Sequence, residues 1–196
     1  MAASLSHSHK FLFVPIPRTA SVSISKSLSS FVDCKPLRDI YHPETKQLQK
    51  YFLEKGLGWE DYFSFSFVRN PWDRIISFFY KFKRESYDKP RDWIIEASEL
   101  ERAYEDVNIK LPPSQLQILE SETGKIPFSF IGRFEKLEKD FGFICDKIGL
   151  QGVGLSHLNK SEHNCYQEYY DKTTKEIIRK KYNKEIELFG YKFDEN

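Results

Sequence analysis

An α/β fold, with a central parallel sheet flanked by crossover helices, is predicted for this chain of 196 residues by three observations. Short apolar runs with strand character recur at Phe11–Val14, Phe63–Val68 and Phe128–Ile131. Segments with helical periodicity lie between and after them, and strands that alternate with helices pair in parallel. No repeat, linker or composition shift divides the chain, so a single compact domain is expected over residues 11–193. The small, polar, His-bearing residues 1–10 read as a flexible tail ahead of it.

Each element has a local reason. Phe11 to Val14 is a short buried strand stopped by Pro15 and Pro17, which remove donors and fix φ. Thr19 to Phe31 carries both periods: Val22 and Ile24 alternate with serines, while Ile24, Leu28 and Phe31 repeat at helical spacing. Lys26 breaks the alternation, which favours a helix. Glu44 to Lys55 reads as a helix closed by Gly56 and Gly58. Phe63-Ser64-Phe65-Ser66-Phe67-Val68 alternates cleanly as a strand. Asn70-Pro71 then supplies a cap and a first-turn proline, with Asp73 placed to reach back to the freed amides. The helix so opened runs to about Lys83. Further helices are expected over Arg91–Tyr104, from Pro112-Pro113 through Leu119, and over Glu135–Ile148, the last ending at Gly149. Thr173-x-x-Glu176 reads as the capping box of a final helix that stops at Gly190.

Composition excludes several classes. Aromatic residues are 16% of the chain, too many for a disordered protein. Thirty basic residues against 29 acidic ones argue against a uniformly basic nucleic-acid binder. The balance hides an asymmetry: residues 1–91 hold 15 basic and 9 acidic side chains, residues 92–196 hold 15 and 20. The positive half suits attraction of an anionic ligand. No apolar run approaches the roughly 20 residues of a membrane span or forms a signal-peptide core. Cys34, Cys145 and Cys165 are widely spaced and suggest neither a disulfide framework nor a metal site. With Met1 only ten residues before the first strand, a cytoplasmic protein without a membrane anchor is expected.

Two segments have the parts of anion sites. In the first, Pro17-Arg18-Thr19-Ala20-Ser21-Val22-Ser23 joins a strand to a helix, bringing turn amides, one fixed cation and several hydroxyls. An ordinary strand-to-helix turn with capping hydroxyls would look similar, and the nucleotide P-loop pattern G-x-x-x-x-G-K-[ST] is missing. In the second, Arg69 stands at the carboxyl end of a strand and Ser77 lies two turns into the following helix. Ligands of open parallel sheets bind at that edge, where an Arg can hold phosphate by charge-assisted bonds. The alternative is that Arg69 or Arg74 simply pairs with Asp73 or another acid.

Together these residues resemble the sulfotransferases, in particular the branch of carbohydrate sulfotransferases and their bacterial relatives. Pro17 to Ser23 is similar to that family's 5′-phosphosulfate loop, P-K-T-A-G-T-S. Val68-Arg69-Asn70-Pro71-Trp72-Asp73-Arg74-Ile75-Ile76-Ser77 matches its 3′-phosphate motif, V-R-N-P-[YW]-D-R-x-x-S, in full. Ile131 to Phe141 resembles its G-R-[FY]-E-x-L-x-x-D-F segment. Leu158-Asn159-Lys160-Ser161, Tyr169-Tyr170-Asp171 and Glu187 to Tyr191 resemble its C-terminal pattern. The four blocks stand in the family's order and span about residues 11–193.

The resemblance implies a P-loop-kinase-like sulfotransferase fold and transfer of a sulfuryl group from 3′-phosphoadenosine-5′-phosphosulfate (PAPS) to an acceptor hydroxyl. The acceptor would be a carbohydrate, the product nucleotide 3′-phosphoadenosine-5′-phosphate (PAP), and no metal is required. Pro17, Arg18, Thr19, Ala20, Ser21, Val22 and Ser23 would hold the 5′ end, and Arg69 and Ser77 the 3′-phosphate. Phe134 would pack near adenine or be a plain core residue, while Arg133 would reach nucleotide or acceptor, or pair with Glu135 or Glu138. Arg18 replaces the family's Lys, Ser21 its Gly and Val22 its Thr, which also admits a weakly catalytic nucleotide-binding protein. His42 is the favoured general base; His157, His163, Glu44 and Asp73 remain candidates. By position, the stretch around Trp93 and Tyr104 would line the acceptor.

Overall fold

Four strands form one sheet in the order β1-β2-β3-β4. They are β1 (Ser4–Ser6), β2 (Phe11–Phe13), β3 (Phe63–Val68) and β4 (Phe130–Arg133). The computed structural model describes residues 1–100, 110–156 and 164–194. Strands β2, β3 and β4 run parallel, with Phe13 opposite Phe65 and Val68 opposite Arg133, so their carboxyl ends share one edge of the sheet. Strand β1 runs antiparallel to β2, with Leu5 opposite Leu12. The helices are α1 (Ser21–Ser27), α2 (Thr45–Glu54), α3 (Pro71–Phe82), α4 (Pro90–Leu100), α5 (Gln115–Leu119), α6 (Leu137–Lys147), α7 (Lys172–Lys181) and α8 (Asn183–Phe189). This is an α/β fold with a mostly parallel sheet flanked by helices, as predicted.

The contacts divide the chain into two interleaved units. The first comprises residues 1–68 and 115–159 and contains the whole sheet. Its core is built on the phenylalanine face of the strands: Phe11, Phe13, Phe65 and Phe67 are fully buried against Ile24 and Leu28 of the α1 region and Phe141, Ile144 and Cys145 of α6. The serines of β3 face the other way and are equally buried, which a strand enclosed on both faces requires. Ser64 Oγ donates to Pro127 O, and Ser129 N donates back to Ser64 Oγ at 3.1 Å. Gly132 is needed at its position, because a Cβ there would lie 2.5 Å from Cε1 of the Phe67 ring opposite.

The second unit comprises residues 69–114 and 160–196. Helix α3 buries Trp72, Ile75, Ile76 and Phe79 against Trp93, Ile94 and Ala97 of α4 and Ile178 and Tyr182 of the α7 region. Each fully enclosed large apolar side chain of this kind is worth about 1.5–3 kcal/mol relative to exposure. Trp93 therefore belongs to this core, at 0% exposure and stacked on Phe78, and does not line an acceptor surface. Tyr104 lies outside the described residues.

Three further expectations need correction. The first ten residues are no loose tail: Ser4, Leu5 and Ser6 are buried and form β1, whose edge Leu5 extends by bonding to Cys34. The final helix is capped at Asp171 instead of Thr173, with Asp171 Oδ1 accepting from Thr174 N and Thr174 Oγ1 accepting from Asp171 N. It also breaks at Tyr182 into α7 and α8, ending at Gly190 in the left-handed conformation.

Candidate functional site

The loop after β2 is held by its own carbonyls. Three successive carbonyl oxygens each accept a side-chain donor. Ser66 Oγ donates to Val14 O at 2.7 Å, His42 Nδ1 to Pro15 O at 3.0 Å and Thr19 Oγ1 to Ile16 O at 3.0 Å. Val14 N is paired with Phe65 O, and Pro15 and Pro17 have no N–H to satisfy. The turn is thus stiff before any ligand is considered. Two of its residues, Arg18 and Ala20, have positive φ of 69° and 63°. Left-handed non-glycine residues cost free energy and persist where their surroundings over-determine them, a pattern that clusters at functional sites.

That conformation settles what the three departures in this loop do to the backbone. The left-handed positions are Arg18 and Ala20, whereas Ser21, standing where the family has Gly, is the first residue of α1. A serine there is an ordinary helical residue and strains nothing. Val22 points outward, 40% exposed, while Ser21 and Ser23 are buried and Arg18 is half-buried. The hydroxyl of Thr19 is used inside the turn.

His42 sits in a left-handed backbone conformation, with its N–H donating to Met1 O at 2.9 Å. A carbonyl can only accept, so Nδ1 is the donor of this bond, an arrangement that in a neutral imidazole leaves the lone pair on Nε2. The half-buried imidazole is thereby tied to the residue three before Arg18. Glu44, a carboxylate alternative, is instead engaged with Lys46 at 2.7 Å and Gln117, as well as opening α2. These partners hold its carboxyl below the usual carboxylate range, against the opposing pull of burial.

The turn from β3 into α3 is a second built element. Asn70 Oδ1 accepts from Trp72 N as the helix cap, and Pro71 occupies the first position. Asp73 does not reach the amides as the sequence suggested: its Oδ2 takes Arg69 Nε at 2.8 Å. Arg69 is 6% exposed, so its guanidinium plane is fixed in a partly desolvated setting. Ser77 follows Asp73 by one turn on the same stripe of α3 and is fully enclosed. Arg74 is buried with Nη1 on Pro113 O at 3.0 Å; burial lowers its pKa, opposed by the charge of Glu185.

After β4, Arg133 N donates to Asp140 Oδ2 at 2.7 Å, bending the chain into α6. Arg133 and Phe134 are both half-buried, Phe134 opening a single 3-10 turn. They leave the sheet at the same edge as the loop after β2.

The model of the sulfotransferase family matches residues 3–192, nearly the whole chain. The chain belongs to the sulfotransferase family. No curated protein and no solved structure gives a significant match. Family membership makes it a transferase of the sulfuryl group, and the structure gives each letter of the R-N-P-W-D-R motif a physical setting.

Two residues of this sulfotransferase went unrecognised in the sequence. Ser66 braces Val14 O, and its signal was a serine on an apolar strand that has no solvent face. Tyr166 receives Asn70 Nδ2 at 3.2 Å, a contact 96 residues apart that no local pattern announces. His157, His163, and the Leu158 to Ser161 block lie outside the described residues. Among the described residues no cluster of three or more His, Cys, Asp or Glu is arranged for a metal, and no helix is long and apolar enough to cross a membrane.

Proposed function

We propose that this sulfotransferase takes PAPS as donor and transfers its sulfuryl group to a carbohydrate hydroxyl by in-line displacement. The observation that carries the proposal is the bond from His42 Nδ1 to Pro15 O, which ties the candidate base to the loop assigned to the donor. Sulfuryl transfer resembles phosphoryl transfer in asking the protein mainly for positioning and charge stabilisation. In this reading the turn Pro17 to Ser23 holds the 5′-phosphosulfate. Arg18 stabilises the charge that grows on the bridging oxygen as its bond to sulfur breaks. Arg stays ionised, so it contributes field and donates no proton. His42 Nε2 takes the proton of the acceptor hydroxyl as the new oxygen–sulfur bond forms.

Arg69, already oriented by Asp73, meets the 3′-phosphate; Ser77, fully enclosed one turn beyond Asp73, is assigned to that phosphate only on the strength of the motif it occupies. Arg133 and Phe134, at the shared carboxyl edge, are assigned to the nucleotide on the strength of the motif they occupy. The carbohydrate acceptor rests on the resemblance of four ordered motifs to the carbohydrate branch. The cytoplasm is proposed as the setting, in keeping with Cys34, Cys145 and Cys165, none of which forms a disulfide.

The test is transfer of labelled sulfate from PAPS to a panel of oligosaccharides, phenols and tyrosine peptides. Label on a sugar supports the reading, and label on phenol or peptide alone replaces the acceptor class. PAPS binding with neither transfer nor hydrolysis marks a binding protein instead, and tighter binding of ATP than of PAPS overturns the donor. His42→Ala should lower turnover by about 10²–10⁴-fold with PAP affinity unchanged; undiminished turnover removes His42 from the mechanism.

A further inference from the structure

The segment after α8 closes on the arginine turn. Asn70 uses both ends of its amide: Oδ1 caps Trp72 N, while Nδ2 donates to Lys192 O at 2.9 Å and to Tyr166 Oη at 3.2 Å. Tyr166 Oη in turn donates to Phe193 O, and Gln167 Nε2 donates to the same oxygen. The ring of Phe193 is met edge-to-face by three aromatics, Trp72 at 5.5 Å, Tyr166 at 5.7 Å and Tyr170 at 5.6 Å between centroids. Lys175 Nζ lies 4.0 Å from its centroid. Such pairs contribute beyond simple area burial.

Every polar handle of Trp72 is engaged within the same cluster. Its N–H goes to Asn70, its carbonyl accepts from Tyr170 Oη at 2.8 Å and its indole N–H donates to Lys175 O at 3.1 Å. The residue on one side of Trp72–Pro71–Asn70 is Arg69, and on the other is Asp73, which orients it. The peptide units that set the Arg69–Asp73 geometry are therefore clamped from outside by Tyr170 and by the chain around Phe193.

We propose that Phe193 is a positioning residue for Arg69: it seats residues 191–194 so that Asn70 and Trp72 hold the turn in its anion-binding form. The proposal rests on the reading of Arg69 as a 3′-phosphate ligand. It assigns the segment beyond the last helix a part in recognition, although Phe193 itself touches no ligand.

The experiment measures PAP affinity and backbone hydrogen exchange in the full chain. Phe193→Ala should weaken PAP about tenfold, as misplacement of a recognising group does, and should speed exchange at the Trp72 and Asp73 amides. Phe193→Tyr should restore both. Tyr166→Phe, which keeps the ring but removes the hydroxyl bridge, should weaken PAP about threefold. Ile94→Val, in the same core but without a link to Asn70, should change melting temperature alone. If Phe193→Ala does not fold, Phe193→Leu and Tyr166→Phe carry the comparison. Wild-type PAP affinity in these variants, beside loss of binding in Arg69→Ala, overturns the positioning role and leaves the nucleotide reading standing. If Arg69→Ala also binds normally, the nucleotide reading fails, and the exchange rates decide by themselves whether Phe193 holds the turn. Unchanged exchange there refutes it.

Discussion

Under the proposed assignment of Arg69 to the 3′-phosphate, Arg69→Ala should separate that contact from every other contribution to nucleotide binding. Arg69 is 6% exposed and its Nε lies 2.8 Å from Asp73 Oδ2, so its charge is little screened by water and its plane is set in advance. A hydrogen bond to a charged group is worth about 1.5–3 kcal/mol, which corresponds to roughly 10- to 150-fold in affinity. The partly desolvated setting favours the upper half of that range. Calorimetric titration of PAP should show this loss. Titration of adenosine 5′-phosphosulfate, which lacks the 3′-phosphate, should show almost none. The difference between the two losses isolates the contact in the manner of a double-mutant cycle. Arg69→Lys should fall between, because it keeps the charge but not the planar fork. Equal loss for both nucleotides would mean that the substitution disturbs the turn as a whole. No loss for either, with melting temperature preserved, would place the 3′-phosphate elsewhere.

Three further outcomes follow from other parts of the structure. Gly132→Ala should destabilise by about 1–3 kcal/mol through collision with the Phe67 ring, lowering the melting temperature by roughly 2–4 °C per kcal/mol; an unchanged melting curve would contradict the packing. Cys145 is buried in the first unit's core, and burial pushes its thiol up to about 11, so a disulfide reagent should modify exposed Cys165 in the native protein and leave Cys145 untouched until unfolding. Asp171 is held at about 2 by the Thr174 amide and Arg91, below its unfolded value of about 3.9. A depressed carboxylate stabilises above the unfolded value and loses that contribution as pH falls toward 2, so Asp171→Asn should flatten the acid limb of the stability curve between about pH 4 and pH 2.

The strands were legible where apolar alternation was long and uninterrupted. Phe63–Val68 stands as read, whereas the third strand is shifted to Phe130–Arg133 because Gly132 and Arg133 carry its pairing without apolar side chains. Strand β1 escaped because a Ser-Leu-Ser triplet offers too few residues for a period and is buried only through its partners. Helix α3 was legible because Asn70 and Pro71 act locally. The cap at Asp171 was not, because Thr173-x-x-Glu176 presents the same pattern two residues later and only the backbone decides between them. For the candidate site, the motifs singled out Arg69, Asp73 and the loop after β2. The contacts that orient them, from Ser66 to Val14 and from Asn70 to Lys192, are long-range and leave no spacing to read.

The interleaving of the two units has a consequence for synthesis on the ribosome. Each unit is assembled from two separate stretches, with β3 and α3 adjoining at Val68 and Arg69. When β3 emerges it finds β2 already made, but its other edge pairs with β4 only after Phe130 to Arg133 have followed. For that interval the chain carries a strand edge of alternating phenylalanines without its neighbour, a feature associated with slow closure and with aggregation. No fragment ending before β4 contains a finished sheet. Truncations aimed at dissecting the protein should therefore fail by precipitation, and holding nascent chains before residue 133 should favour association with chaperones.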